Sequence, residues 1–160
     1  MLLFGHIGIT LGIAWLIESR LRIRMDYRLI AVGSLLPDMI DKPAGMLLLL
    51  LNNGRVFAHT LLFILTLHLI GLKYRGFLFL SFASFLHLIE DEMWNEPETL
   101  FWPLLGGFPA RERVGFYEYV ERIISEYTPS LSHVFILEVT GFIVILVLVM
   151  RRGSLFGARH

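Results

Sequence analysis

The 160-residue chain contains no cysteine, which excludes disulfides, thiolate metal ligands and cysteine nucleophiles. Charge is scarce as well: Asp, Glu, Lys and Arg make up 18% of the residues and cancel to a formal net charge of zero. A balanced chain has no general attraction for a polyanion, so no nucleic-acid partner is expected. The G-x-S-x-G elbow of serine hydrolases is also missing. The opening residues, "MLLFGHIG", lack a basic leader and a small-residue cleavage site, and read as a retained segment rather than a removed signal peptide.

Apolar residues, in contrast, are abundant. They form 56% of the chain, and the mean hydropathy is +0.67, above the roughly 45–50% apolar content of a soluble domain. The clearest membrane span is "VFILEVTGFIVILVLVM", residues 134–150, closed by Arg151 and Arg152. With its flanks it approaches the roughly 20 residues needed to cross a bilayer. It is nearly uniform around its circumference, unlike the amphipathic helix of a soluble bundle. Further apolar runs occupy residues 2–17, 29–51, 57–72 and 77–94. The expectation is an all-α, polytopic membrane protein of about five spans forming one embedded domain over residues 1–160.

Basic residues set the orientation, because Arg and Lys in short loops favour the cytoplasm. Arg20, Arg22, Arg24 and Arg28, then Lys73 and Arg75, then Arg151, Arg152 and Arg159 all fall on one side. The N-terminus is therefore expected outside and the C-terminus in the cytoplasm of a plasma or inner membrane. On the outer side, within residues 109–132, Phe116, Val120, Ile123, Ile124 and Tyr127 recur at helical spacing opposite charges. This pattern predicts an interfacial amphipathic helix, ahead of a last span over residues 133–151.

The stretch "GSLLPDMIDKPAG", residues 33–45, puts Asp38, Asp41, Lys42 and two prolines inside an apolar run. Charges at that depth are costly, and proline removes backbone hydrogen bonds. The second span is therefore predicted to be broken from Pro37 to Pro43, with freed carbonyls covered by protein or water. Asp38 pairing with Lys42, four residues on, is the plain structural alternative. The topology gives His6, Asp38, Asp41, His59, His87 and Asp91 one shared level in the outer half, and His87 and Asp91 share a helix face. These six are the candidate metal ligands. His68 and His133 read as packed, hydrogen-bonded histidines, Glu138 as a residue supporting the ligands, and Trp94 and Trp102 as part of an interfacial belt.

"GH" at 5–6, "SLLPDMIDKP" at 34–43, "GRVFAHTLL" at 54–62 and "HLIEDEMWNEPETLFWPLLGGF" at 87–108 together resemble the YdjM-type membrane-bound metal-dependent hydrolases, in an archaeal-like branch. The resemblance covers residues 1–108 and implies metal binding by those same six residues. Gly54 stands where the commoner family pattern has a histidine, and two residues, not one, separate Asp38 from Asp41.

Mixed imidazole and carboxylate ligands suit one or two divalent ions, zinc first, with manganese or iron as alternatives. The leading expectation is a hydrolase of a phosphoester in a membrane lipid or lipid-linked substrate, using water activated by the metal. Asp91, as a ligand, and Arg55, gripping phosphate at the outer turn, are the candidate catalytic residues. The alternative is a non-catalytic metal-binding scaffold or a metal transporter. A transporter needs polar residues continuing to the cytoplasmic face, where only His68 and Thr66 are evident.

Overall fold

The structure, a computed structural model, describes residues 3–45, 53–110, 117, 118, 121, 124, 125 and 133–151. Among these residues there are six α-helices and no strand: α1 (Leu3–Leu21), α2 (Tyr27–Pro43), α3 (Leu61–Lys73), α4 (Gly76–Glu90), the short α5 (Pro97–Leu100) and α6 (His133–Arg151). Local chemistry sets the starts of α2 and α3. The Asp26 carboxylate accepts from the free amides of Arg28 and Leu29, and Thr60 Oγ1 accepts from Phe63 N, so each helix opens on a side-chain cap.

Helix directions follow from the contacts. Leu29 lies against Gly76 and Gly33 against Ala83, so α2 and α4 run the same way. Gly71 meets Leu78, so α3 runs against α4. Gly8 and Gly141 bring α1 and α6 together as a parallel pair, where a Cβ on Gly8 would come within 2.1 Å of the Gly141 carbonyl oxygen. Only glycine permits that approach. The N-terminal ends of α1, α3 and α6 and the C-terminal ends of α2 and α4 therefore meet at one end of the bundle. One apolar core joins Ala58, Phe63, Leu67, Leu88 and Met93, and another joins Ala14, Ile30 and Ala83.

Among the described residues one helix, α6, is clearly able to cross a membrane by length and composition, while α3 and α4 are shorter apolar helices. The expected break at Pro37 is not a break, because α2 continues through Pro37 and ends at Pro43. Pro37 has no N–H for the Gly33 carbonyl. Ser84 Oγ from α4 donates to that oxygen instead, at 2.9 Å. A neighbouring helix thus supplies the missing bond, and the helix need not open.

The expected amphipathic segment, residues 109–132, lies largely outside the described residues. His68 and His133 are exposed rather than packed. On α3, Phe63, Ile64, Leu67 and Gly71 face inward, and that helical spacing turns position 68 outward.

Candidate metal centre

Four chain segments meet at the crowded end of the bundle, and each carries a polar side chain that is costly to bury alone. Asp38 comes from the last turns of α2, His59 from a 3-10 turn (Phe57–His59) before α3, His87 from the last turn of α4, and Asp91 from the residue capping it. His59 and His87 have no exposed surface. One ligand atom from each of the four lies within 4.8 Å of the others.

The other ring nitrogen of each histidine is already committed. His59 Nδ1 donates to Asp41 Oδ2 at 2.7 Å, and His87 Nδ1 donates to the Ser34 carbonyl at 2.7 Å. A backbone carbonyl can only accept, so the His87 hydrogen sits on Nδ1, and the Asp41 carboxylate imposes the same tautomer on His59. Both Nε2 atoms are then lone-pair donors, yet they face each other at 3.2 Å. Two bare lone pairs repel at that distance unless a cation lies between them.

Carboxylates complete the set. Asp38 Oδ1 is 3.7 Å from His59 Nε2 and 3.9 Å from His87 Nε2, and Asp91 Oδ2 is 3.9 and 4.0 Å from the same two atoms. Four donors around an ion with ligand bonds of about 2.0–2.1 Å are separated by about 3.3 Å when tetrahedral, so modest contraction suffices. A shared proton can serve two of these atoms, whereas a metal ion can serve all four. Asp38, His59, His87 and Asp91 could therefore hold a metal ion.

The remaining two candidate ligands sit around this set. Asp41 is fully buried behind His59. Its carboxylate accepts from the backbone amides of Val56, Ala58 and His59 at 2.8, 2.8 and 3.0 Å as well as from the His59 ring. It folds the turn that carries His59 and fixes that imidazole, as carboxylates behind metal-bound histidines do. His6 stacks on His87 with ring centroids 4.0 Å apart, and its Nδ1 is held by Glu90 Oε2 at 2.7 Å. Its Nε2 lies 3.2 Å from Asp91 Oδ1 but off the line of a hydrogen bond, and that buried nitrogen has no hydrogen-bond partner. His6 thus adjoins the four-residue set with a donor atom directed at it.

Arg55 bridges two carboxylates, at 2.9 Å to Asp91 Oδ2 and 2.6 Å to Glu96 Oε1. Burial opposes its charge, but the flanking Asp91 and Glu96 outweigh burial and raise its pKa above the ordinary value. Asp38 Oδ2 pairs with Lys42 at 2.6 Å while Oδ1 faces the histidines, so the plain alternative and the ligand role coexist on one carboxylate. Glu138 sits at the start of α1, where its two oxygens accept from Phe4 N and Gly5 N at 3.0 and 2.9 Å.

Glu90, Ser34 and Ser84 went unnoticed in the sequence. A signal for Glu90 was present, a second carboxylate directly before Asp91 at the end of an apolar run; in the structure Thr10, one helical turn after His6, donates to it at 2.9 Å. The Ser34 carbonyl carried none, because backbone atoms are the same at every residue.

The sequence profile described as YdjM inner membrane protein matches residues 1–156, and the chain belongs to that family. No curated protein and no solved structure matches it significantly.

Proposed function

We propose that this member of the YdjM inner membrane family is a membrane-embedded, metal-dependent hydrolase that cleaves a phosphoester of a lipid or lipid-linked substrate. The observation that carries the reading is the pair of imidazole lone pairs, His59 Nε2 and His87 Nε2, meeting two carboxylate oxygens with every opposite ring nitrogen tied down. Zinc suits such a set, as do manganese and iron. When bound, the ion supplies Lewis acidity, making a coordinated water acidic enough to attack at neutral pH and drawing charge from a phosphoryl oxygen.

The protein's own residues supply orientation and access. Asp41 and the Ser34 carbonyl hold the two histidines in the ligand tautomer. The Arg55 side chain, 30% exposed, holds Asp91 and Glu96 with its two terminal nitrogens at the edge of the cluster, and an anionic phosphate would engage its planar fork by taking the place of the Glu96 carboxylate. In the proposed topology α1, α2, α3, α4 and α6 each cross the bilayer, with the N-terminus outside. That places the centre toward the outer leaflet, where a lipid can reach it laterally.

Transport without hydrolysis fits less well. Toward the opposite end the Thr66 hydroxyl is spent on the Leu62 carbonyl and Ser81 on the Ile64 carbonyl, while His68 turns outward. Among the described residues these do not form a polar path.

The test is elemental analysis of the purified protein together with hydrolysis assays on lipid phosphates and phospholipids. Asp38→Asn and His87→Ala are expected to lose metal and activity together, and His68→Ala to lose neither. Equal metal content in all three would overturn the site, and a metal-loaded parent inactive on every phosphoester would favour the scaffold reading.

A further inference from the structure

At the end of the bundle opposite the metal centre, side chains of α1 and α6 line a groove of about 360 Å³. Its walls are Trp15 and Leu16 on one side and Ile143, Val147 and Leu148 on the other, with Gly12 at its floor. The missing side chain at position 12 makes the groove possible, since a Cβ there would already touch Val144 at 3.1 Å. One cation marks its mouth: the Arg151 guanidinium lies 5.5 Å above the Trp15 ring. Among the described residues no carboxylate pairs with Arg151. An arginine resting on an indole face keeps its N–H edge available for an anion.

An apolar slot ending in an arginine at the close of a membrane helix matches the two chemistries of a phospholipid, acyl chain and phosphate. We propose that this groove binds an anionic phospholipid, with an acyl chain between α1 and α6 and the headgroup phosphate at Arg151. Charge argues against the other occupants. The chain beyond Arg151 carries Arg152 and Arg159 and no Asp or Glu, so it does not complement Arg151. A second copy packed here about an axis along the membrane normal would set Arg151 against Arg151. Basic pockets between membrane helices collect anionic headgroups for this reason. The inference is independent of the hydrolase reading, because no residue of the groove touches the metal cluster.

The groove has a built-in probe in Trp15. In the full-length chain carrying Trp94→Phe and Trp102→Phe, reconstituted in nanodiscs, Trp15 is quenched by phospholipid brominated on the acyl chains. Equal mole fractions of phosphatidylglycerol and phosphatidylcholine are compared. The expected preference for the anionic lipid is about fivefold, the ratio that one basic side chain near an anionic headgroup carries. Arg151→Gln should bring the ratio to about one, Arg151→Lys should keep most of it, and Val147→Phe should reduce quenching by both lipids by filling the slot. Unchanged thermal unfolding of each variant in detergent certifies the fold. Equal quenching by the two lipids in the parent would overturn the proposal, and so would quenching by neither, which would mean that protein covers the groove.

Discussion

Asp41 sits at the base of the centre, and every hydrogen bond its carboxylate makes is one it accepts: three from backbone amides and one from the His59 ring. An asparagine has the same shape but must turn an N–H₂ toward some of those donors. Asp41→Asn should therefore weaken metal binding by about 10- to 100-fold, the usual effect of removing the carboxylate behind a ligand histidine. It should also destabilise the fold by about 1–3 kcal/mol, because a buried amide loses its acceptor. Competition with a chelator reads the first effect and thermal unfolding in detergent the second; unchanged metal affinity would remove Asp41 from the orientation of His59. Arg55 has a different expectation. Its guanidinium holds Asp91 Oδ2, the oxygen that faces the two histidines, but offers no metal-donor atom of its own, so Arg55→Ala should keep bound metal while lowering kcat/KM on a lipid phosphoester by about 10²-fold. Parent-level turnover would take Arg55 out of the mechanism. The six candidate ligands were legible in the sequence as residue types at one level. Their division of labour was not, because it depends on which ring nitrogen meets Asp41, Glu90 or the Ser34 carbonyl, and folding alone determines those pairings.

Pro37 lies inside α2, and α4 compensates for it. The carbonyl that Pro37 leaves without an intrahelical donor belongs to Gly33, and Ser84 donates to it. One turn further along α4, His87 reaches the adjacent carbonyl of Ser34. Gly33 itself allows the approach, since a Cβ there would be 2.8 Å from that of Ala83. The charged and proline-containing stretch at 33–45 signalled freed carbonyls in the sequence, and that much was legible. The break was not, because the compensating hydroxyl is fifty-one residues away in sequence. Ser84→Ala should cost about 1–2 kcal/mol, since it strands a buried carbonyl. In a Pro37→Ala background α2 regains its own N–H donor for Gly33, so the same Ser84→Ala change should cost much less. Unfolding of the four proteins of this double-mutant cycle reads the coupling directly. Additive losses would show that Ser84 does not compensate for Pro37.

At the scale of the whole molecule, the five longer helices alternate in direction and gather the polar groups at one end, and among the described residues α6 alone is both long and apolar enough to cross a bilayer. At 1.5 Å per residue, α2, α3 and α4 reach only about 20–25 Å, against a hydrocarbon core of about 30 Å. Crossing by helices this short would require local thinning of the bilayer and snorkelling of flanking Arg and Lys. The apolar runs in the sequence indicated the five longer helices and their order, but the run at 77–94 overran the end of α4, where apolar residues continue past the last helical turn at Glu90. If all five helices cross, the loop between α1 and α2, the turn between α3 and α4, and the chain after Arg151 share one face of the membrane. The α4–α5 segment and the metal centre then face the other. The chain has no native cysteine, so single replacements report cleanly. Arg24→Cys, Tyr74→Cys and Ser154→Cys should be shielded from an impermeant maleimide in intact cells and labelled once the cells are opened. Leu104→Cys, at a side chain that is 84% exposed, should label from outside without opening. Labelling of Leu104→Cys only in opened cells, with the other three labelled from outside, would invert the protein and give the centre to the inner leaflet. Labelling of Tyr74→Cys on the same side as Leu104→Cys would instead show that α4 does not cross, and lateral entry of a lipid to His87 and Asp91 from the outer leaflet would have to be abandoned.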